Sequence, residues 1–287
     1  GQTVHFPKGQ TSVKDSKTNT RVGLPSKTQK LIDTVDYWNL LVGKEYVIKG
    51  ILMDKETGKP LLVDGKEITS EQTFTAETAD GTVELEYEFD SSALAGKTIV
   101  VFEDFYYNGI NIYSHNNLED KNQTFQYPTV DTEATYKGKH FVPANKEVTI
   151  VDRVSYTNVI KGRKYIMKST VVDAATGTLA TLSSGNEVNT EFTAESEAGM
   201  IDIQITFHTK NYMDKKLVVY EELIDAESGE VIAIHKDIND ADQTVTVDHL
   251  VKTGDNVPIL PIAMIGLVAL GGFVFLAVKR RKKFTEE

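Results

Sequence analysis

LIDTVDYWNLLVGKEYVIKGILMDKETG (Leu31–Gly58) lines up residue for residue with IVDRVSYTNVIKGRKYIMKSTVVDAATG (Ile150–Gly177). Two further pairs follow in the same order: TFTAETADGTVELEYEFD with EFTAESEAGMIDIQITFH, and KTIVVFEDFYYNGINIYSH with KKLVVYEELIDAESGEVIAIH. Equivalent residues stay 118 to 121 positions apart, so two units of about 120 residues stand in tandem. Whatever one unit folds into, the other must fold into as well. Neither can exceed a single small domain.

Each unit reads as β. VELEYEF (Val83–Phe89) and MIDIQITF (Met200–Phe207) alternate apolar and polar residues with period two, while KTIVVFE and KLVVYEE are rich in β-branched and aromatic residues. Turn signals separate them: Glu56-Thr57-Gly58-Lys59-Pro60, Ala79-Asp80-Gly81 and Glu227-Ser228-Gly229-Glu230. No long helical periodicity appears before the C-terminal segment. Many short strands in each unit imply an all-β chain of tandem immunoglobulin-like β-sandwich domains.

Five polar positions recur inside both units at similar spacing. Unit one has Thr11, Asp33, Glu103, His115 and Gln123; unit two has Thr132, Asp152, Glu221, His235 and Gln243. His to Gln is eight residues in each, through HNNLEDKNQ and HKDINDADQ. Gln123 precedes Thr132 by nine residues, and Gln2, in QTVHFP, precedes Thr11 by nine. A Thr and a Gln on adjacent strands can simply hydrogen-bond, a buried His can be a satisfied core residue, and DINDAD can be solvated surface or a weak calcium site. Recurrence of all five together points to chemistry instead. Ser12 and Thr135 are near rivals of Thr11 and Thr132; Thr34 is not shared, since Arg153 stands there in unit two.

On these motifs the chain resembles the VaFE-repeat, or Thr–Gln ester-bond, domains of Gram-positive surface proteins. The carriers are VVFE (Val100–Glu103), VVYE (Val218–Glu221), IDTVDY, VDRVSY and the H-x-D-x-x-D-x-x-Q tract. That tract is complete as His235, Asp237, Asp240 and Gln243, whereas unit one has Asn117 in place of Asp237. The resemblance implies CnaB-like sandwiches whose first and last strands are joined by an ester between a Thr hydroxyl and a Gln carboxamide, Thr11–Gln123 and Thr132–Gln243. His115 and His235 would shuttle the proton, as His is the usual base near neutral pH. Asp33/Glu103 and Asp152/Glu221 would share a proton, donate to the Gln carbonyl and orient the His. This is self-modification, once per domain, and not turnover; no cofactor or metal is implied. A competing crosslink is a Lys–Asn isopeptide with Lys14 or Lys137 as amine, but both last strands offer Gln.

The remaining bulk properties concern compartment. A net charge of -11 argues against nucleic acid as a partner, because phosphate binding needs clustered cations. Cysteine is absent, so no disulfide is available. Ile259–Val278 is a run of 20 uncharged residues, long enough as a helix to span roughly 30 Å of hydrocarbon, and Lys279–Lys283 follows as a basic block. Just before it, Leu250-Val251-Lys252-Thr253-Gly254 resembles the LPxTG-type signal that sortase cleaves, with Val251 where Pro is usual. The resemblance implies cleavage after Thr253, transfer to peptidoglycan, and a membrane-anchored precursor held by a single transmembrane helix.

The expected layout is therefore residues 1–8 as the last strand of a preceding repeat, 9–127 and 128–248 as sandwich repeats, and 249–287 as sorting signal. On this reading Gln2 once closed a domain that lies upstream of Gly1 in a longer protein. The expected role is a structural stalk on the cell surface. An alternative is an adhesin whose sandwich loops bind a host protein or glycan, with Tyr106, Tyr107 and Tyr113 as candidate contacts unless strand packing uses them.

Overall fold

A computed structural model describes residues 7–249. The sorting signal, the apolar span, the basic tail and Gln2 lie outside the described residues. Within them the chain is all-β in tandem sandwiches, with one 3-10 turn, Thr209–Tyr212.

In the first repeat a three-stranded antiparallel sheet is formed by Lys8–Asp15, Gln29–Trp38 and Gly81–Phe89. It faces a six-stranded sheet centred on Glu45–Asp54 and Thr98–Tyr107, with Ile110–His115 and Thr124–Gln126 both pairing to the latter. The second repeat copies this. Thr129–Thr135, Glu147–Thr157 and Gly199–His208 form its small sheet; Lys164–Asp173 and Lys216–Asp225 centre the large one, which includes Val231–His235 and Thr244–Val247.

The period-two pattern is what makes these sheets two-faced. Gln29–Trp38 alternates buried and half-buried residues along its whole length, as a strand with one face on a core must. The inward sets interdigitate: Leu31, Val35, Leu85, Ile48 and Phe105 in the first repeat, Ile150, Val154, Ile203, Phe207 and Val219 in the second. Burying each of these contributes roughly 1.5–3 kcal/mol. Tyr37 pairs with Gly81, and Tyr156 with Gly199. A Cβ at either glycine would lie 2.4 Å from the tyrosine oxygen, so the glycine lets the ring lie flat across the neighbouring strand.

Turns fall where the sequence signals them. Asp54 accepts the Glu56 amide at 2.9 Å, Asp173 accepts that of Ala175 at 2.9 Å, and Gly58 and Gly177 close their turns at φ of +66° and +69°. The last strand of the first repeat ends at Gln126 and the first strand of the second begins at Thr129. Only Tyr127 and Pro128 lie between, and Asn158 Nδ2 donates to Gly96 O across the junction at 2.6 Å.

Candidate functional site

Alternation places Thr11 and Thr132 on the inward face of their strands, next to Val13 and Ala134 respectively, while Ser12 and Thr135 lie on the opposite face. That removes the two rival nucleophiles. Lys14 and Lys137 are exposed, so neither amine approaches a buried carboxamide.

The first and last strands meet at the same point in each repeat. Val13 N donates to Asn122 O at 3.0 Å and Val101 N to Gln123 O at 3.0 Å. In the second repeat Ala134 N donates to Asp242 O at 2.8 Å and Val219 N to Gln243 O at 2.9 Å. Each Gln is thus held to the VVFE or VVYE strand by its own carbonyl and to the first strand by the carbonyl of the residue before it. Asp33 lies opposite Val13 and Asp152 opposite Ala134. Glu103 pairs with His115, and Glu221 with His235, which sets acid and imidazole side by side on one face.

All eight Thr, Asp, Glu and Gln side chains are buried. In the first repeat Thr11 Oγ1 donates to Glu103 Oε1 at 3.4 Å, and Gln123 Nε2 donates to Glu103 Oε2. One carboxyl therefore holds both ends of the expected bond. In the second repeat Thr132 Oγ1 bonds Asp152, Ser169 Oγ donates to Glu221 Oε2 at 3.0 Å, and Gln243 Nε2 donates to His235 O at 3.4 Å. Both Gln Oε1 atoms are buried without a partner.

Burial governs the charge state. Desolvation, then the neighbouring Asp33, drives Glu103 well above the ordinary carboxylate range, and Glu221 rises for the same reasons beside Asp152. Burial pushes Asp33 up to about 6 and raises Asp152. As two anions a facing pair has no donor to offer, and both Asp33 oxygens, Asp152 Oδ2 and Glu221 Oε1 are unpartnered. The pair is satisfied when the glutamate carries the proton and the aspartate does not. A half-turn of the Gln123 carboxamide then presents its carbonyl to the acidic hydrogen of Glu103.

The acid pair does not orient the histidine, in contrast to the sequence expectation. His115 Nε2 lies 3.0 Å from Asp120 Oδ2, and His235 Nε2 lies 3.2 Å from Asp240 Oδ2. With Nε2–H engaged by a carboxylate, the free base is Nδ1, which is buried and accepts no hydrogen bond in either ring; in the second repeat it lies 3.6 Å from Asp131 Oδ1. Sequence spacing contained this signal: an Asp five residues after His is common to both loops. The mismatch at Asn117 and Asp237 is neutral, because each merely caps the amide two residues on, at 3.0 and 2.9 Å.

The candidate aromatic contacts are occupied in packing. Tyr113 OH donates to Gly9 O at 2.8 Å, Tyr107 stacks against Tyr46 with centroids 5.2 Å apart, and Tyr106 lies beneath Lys49 Nζ at 5.7 Å.

Four buried carboxyls with raised pKa values make folding pH-dependent before any bond forms. Between the ordinary carboxylate value and the folded one, the folded state holds protons that the unfolded chain releases, so stability falls as pH rises through that window. For Asp33 the window runs from 3.8 to about 6. A Gln123→Ala/Gln243→Ala chain is expected to show a higher urea midpoint at pH 5 than at pH 7.

Fold and site together define a class: tandem cysteine-free sandwiches, each enclosing a Thr, a Gln, an acid pair and a histidine where first and last strands converge. The chain belongs to the family described as T-Q ester bond containing domain, whose model matches residues 7–127 and again 128–247. Among solved structures it is similar to a bacterial adhesin from Mobiluncus mulieris containing intramolecular disulfide, isopeptide and ester bond cross-links. Identity is 13%, coverage is 78% of this chain and 82% of that one, and the TM-score is 0.37. A glycosyl hydrolase family 2 member from Bacteroides cellulosilyticus matches at 10% identity, over 72% of this chain and 28% of that one, with a TM-score of 0.31. No curated protein matches the chain.

Proposed function

We propose that each repeat closes itself with an ester between the Thr and Gln named above, and that the closed repeats serve as the stalk of a sortase-anchored surface protein. The observation that supports this most is the shared grip of Glu103 on Thr11 and Gln123. His Nδ1 takes the hydroxyl proton as Thr Oγ1 attacks the Gln Cδ. The protonated glutamate donates to the developing oxyanion. The C–N bond then breaks, the imidazolium returns its proton to nitrogen, and ammonia leaves. Folding alone brings the reactants together, which removes the entropic cost of encounter. The reaction consumes its own nucleophile, so each domain reacts once.

On a cell surface, a chain without cysteine gains in this way the restraint that a disulfide gives elsewhere. Family membership and the order LVKTG, apolar run, basic block support wall attachment through Thr253, with sortase and peptidoglycan as partners. Intact mass is the test. The chain is expected to weigh less than its sequence by two ammonia molecules, and hydroxylamine is expected to open both links. A mass deficit that resists hydroxylamine would indicate amide links; no deficit would exclude a crosslink. Recovery in the wall fraction without the basic tail tests the anchoring.

A further inference from the structure

The two sites differ at one place in a way that cancels. The residue paired with the site glutamate on the central strand is Gly50 in the first repeat and Ser169 in the second. Opposite them, on the small sheet, the equivalent positions are Tyr87, paired with Leu31, and Ile205, paired with Ile150. A Cβ placed on Gly50 would lie 1.8 Å from the Tyr87 oxygen. The tyrosine hydroxyl thus fills the space that the serine side chain takes up in the other repeat. Where the central strand supplies a hydroxyl, the facing strand supplies isoleucine; where it supplies none, the facing strand reaches across with tyrosine.

Both hydroxyls lie in the buried interior. Ser169 is fully buried and donates to Glu221 Oε2 at 3.0 Å. Tyr87 is 1% exposed and its oxygen has no partner, a costly arrangement for a structural core residue. Burial above all, and then the nearby carboxyls of Asp33 and Glu103, raise its pKa well above the ordinary phenol value. A phenol that holds its hydrogen is a donor. The two oxygens of Asp33 lack one.

Building on the ester reading, we propose that each site has a sixth member, a hydroxyl that positions the Asp–Glu pair, supplied by Tyr87 in the first repeat and Ser169 in the second. It does not touch the reacting bond in any step. It supplies a fixed donor to the acid pair, so that the glutamate's own hydrogen stays free for the carboxamide. The two solutions exclude each other sterically, because a side chain at position 50 and a phenol at position 87 compete for one volume.

The test follows ammonia loss by intact mass in full chains made by cell-free translation and quenched at intervals. A Gln→Ala change in the other repeat confines the signal to one site. Tyr87→Phe in the Gln243→Ala chain, and Ser169→Ala in the Gln123→Ala chain, are each expected to slow ester formation about 10-fold or more. Ser169→Thr, which keeps the hydroxyl, is expected to stay close to the parent rate. The exchange Gly50→Ser with Tyr87→Ile is expected to recover most of the rate lost on Tyr87→Phe, which repacking alone would not do. Parent chains that lose no ammonia would overturn the ester reading itself. Parents that react while both hydroxyl-free variants keep pace, or an exchange that stays slow, would overturn this proposal alone.

Discussion

Replacing Gln243 by alanine is expected to lower the stability of the second repeat by about 4–5 kcal/mol, because the proposed ester closes a loop of roughly 100 residues in the unfolded chain. At the entropy of a domain of this size that corresponds to a fall in melting temperature of roughly 15–25 °C. The fold itself does not depend on the bond. The backbone clamp on residue 243, Val219 N to its carbonyl at 2.9 Å, uses no side-chain atom and survives the change. Thr132→Val gives the same loss with almost no change of side-chain volume, which separates the crosslink from local packing. Differential scanning calorimetry of each variant against the parent measures this. A melting temperature within a few degrees of the parent for both would mean that no bond links the two strands.

The second large effect concerns rate. His235→Ala removes the imidazole that pairs across the strands with Glu221 and serves as the proposed base of the second repeat, and general base catalysis is typically worth 10²–10⁴-fold. The variant is expected to accumulate as a chain short of one ammonia, from the first repeat, instead of two. Asp240→Asn is expected to act in the same direction and more weakly. It leaves the ring in place but removes the carboxylate that keeps hydrogen on Nε2 and the lone pair on Nδ1. Mass readings over time distinguish the two. Loss of both ammonia molecules at the parent rate in His235→Ala would exclude the histidine from the reaction.

Much of this was readable from the chain because duplication supplies its own comparison. Period two in VELEYEF and MIDIQITF fixes which face is inward, and the offset of 118 to 121 residues aligns five polar positions that the structure brings together in each repeat. Thr11 against Ser12 could be resolved only by strand pairing, since a slip of one residue exchanges the two faces. Duplication also misled. Asn117 opposite Asp237 drew attention as a departure, yet both are loop caps, whereas Asp120 and Asp240 match silently and hold the histidines. The Gly50/Ser169 and Tyr87/Ile205 exchange was invisible for another reason. Its two halves lie 37 residues apart in the first repeat and 36 in the second, on different sheets, and only the fold shows that they share a volume.

The junction of Tyr127 and Pro128 has a mechanical consequence. With both esters in place, a pull applied along the chain enters at Thr11, crosses to Gln123 through one covalent bond, runs nine residues to Thr132 and crosses again to Gln243. The polypeptide between Thr11 and Gln123 lies off that path. At about 3.5 Å per extended residue it amounts to roughly 400 Å of slack that an uncrosslinked repeat would pay out on unfolding and a crosslinked one withholds. With so short a connection between the repeats, almost nothing is left to stretch. Such a pair behaves under load as an inextensible tether whose length is set by where its bonds are drawn.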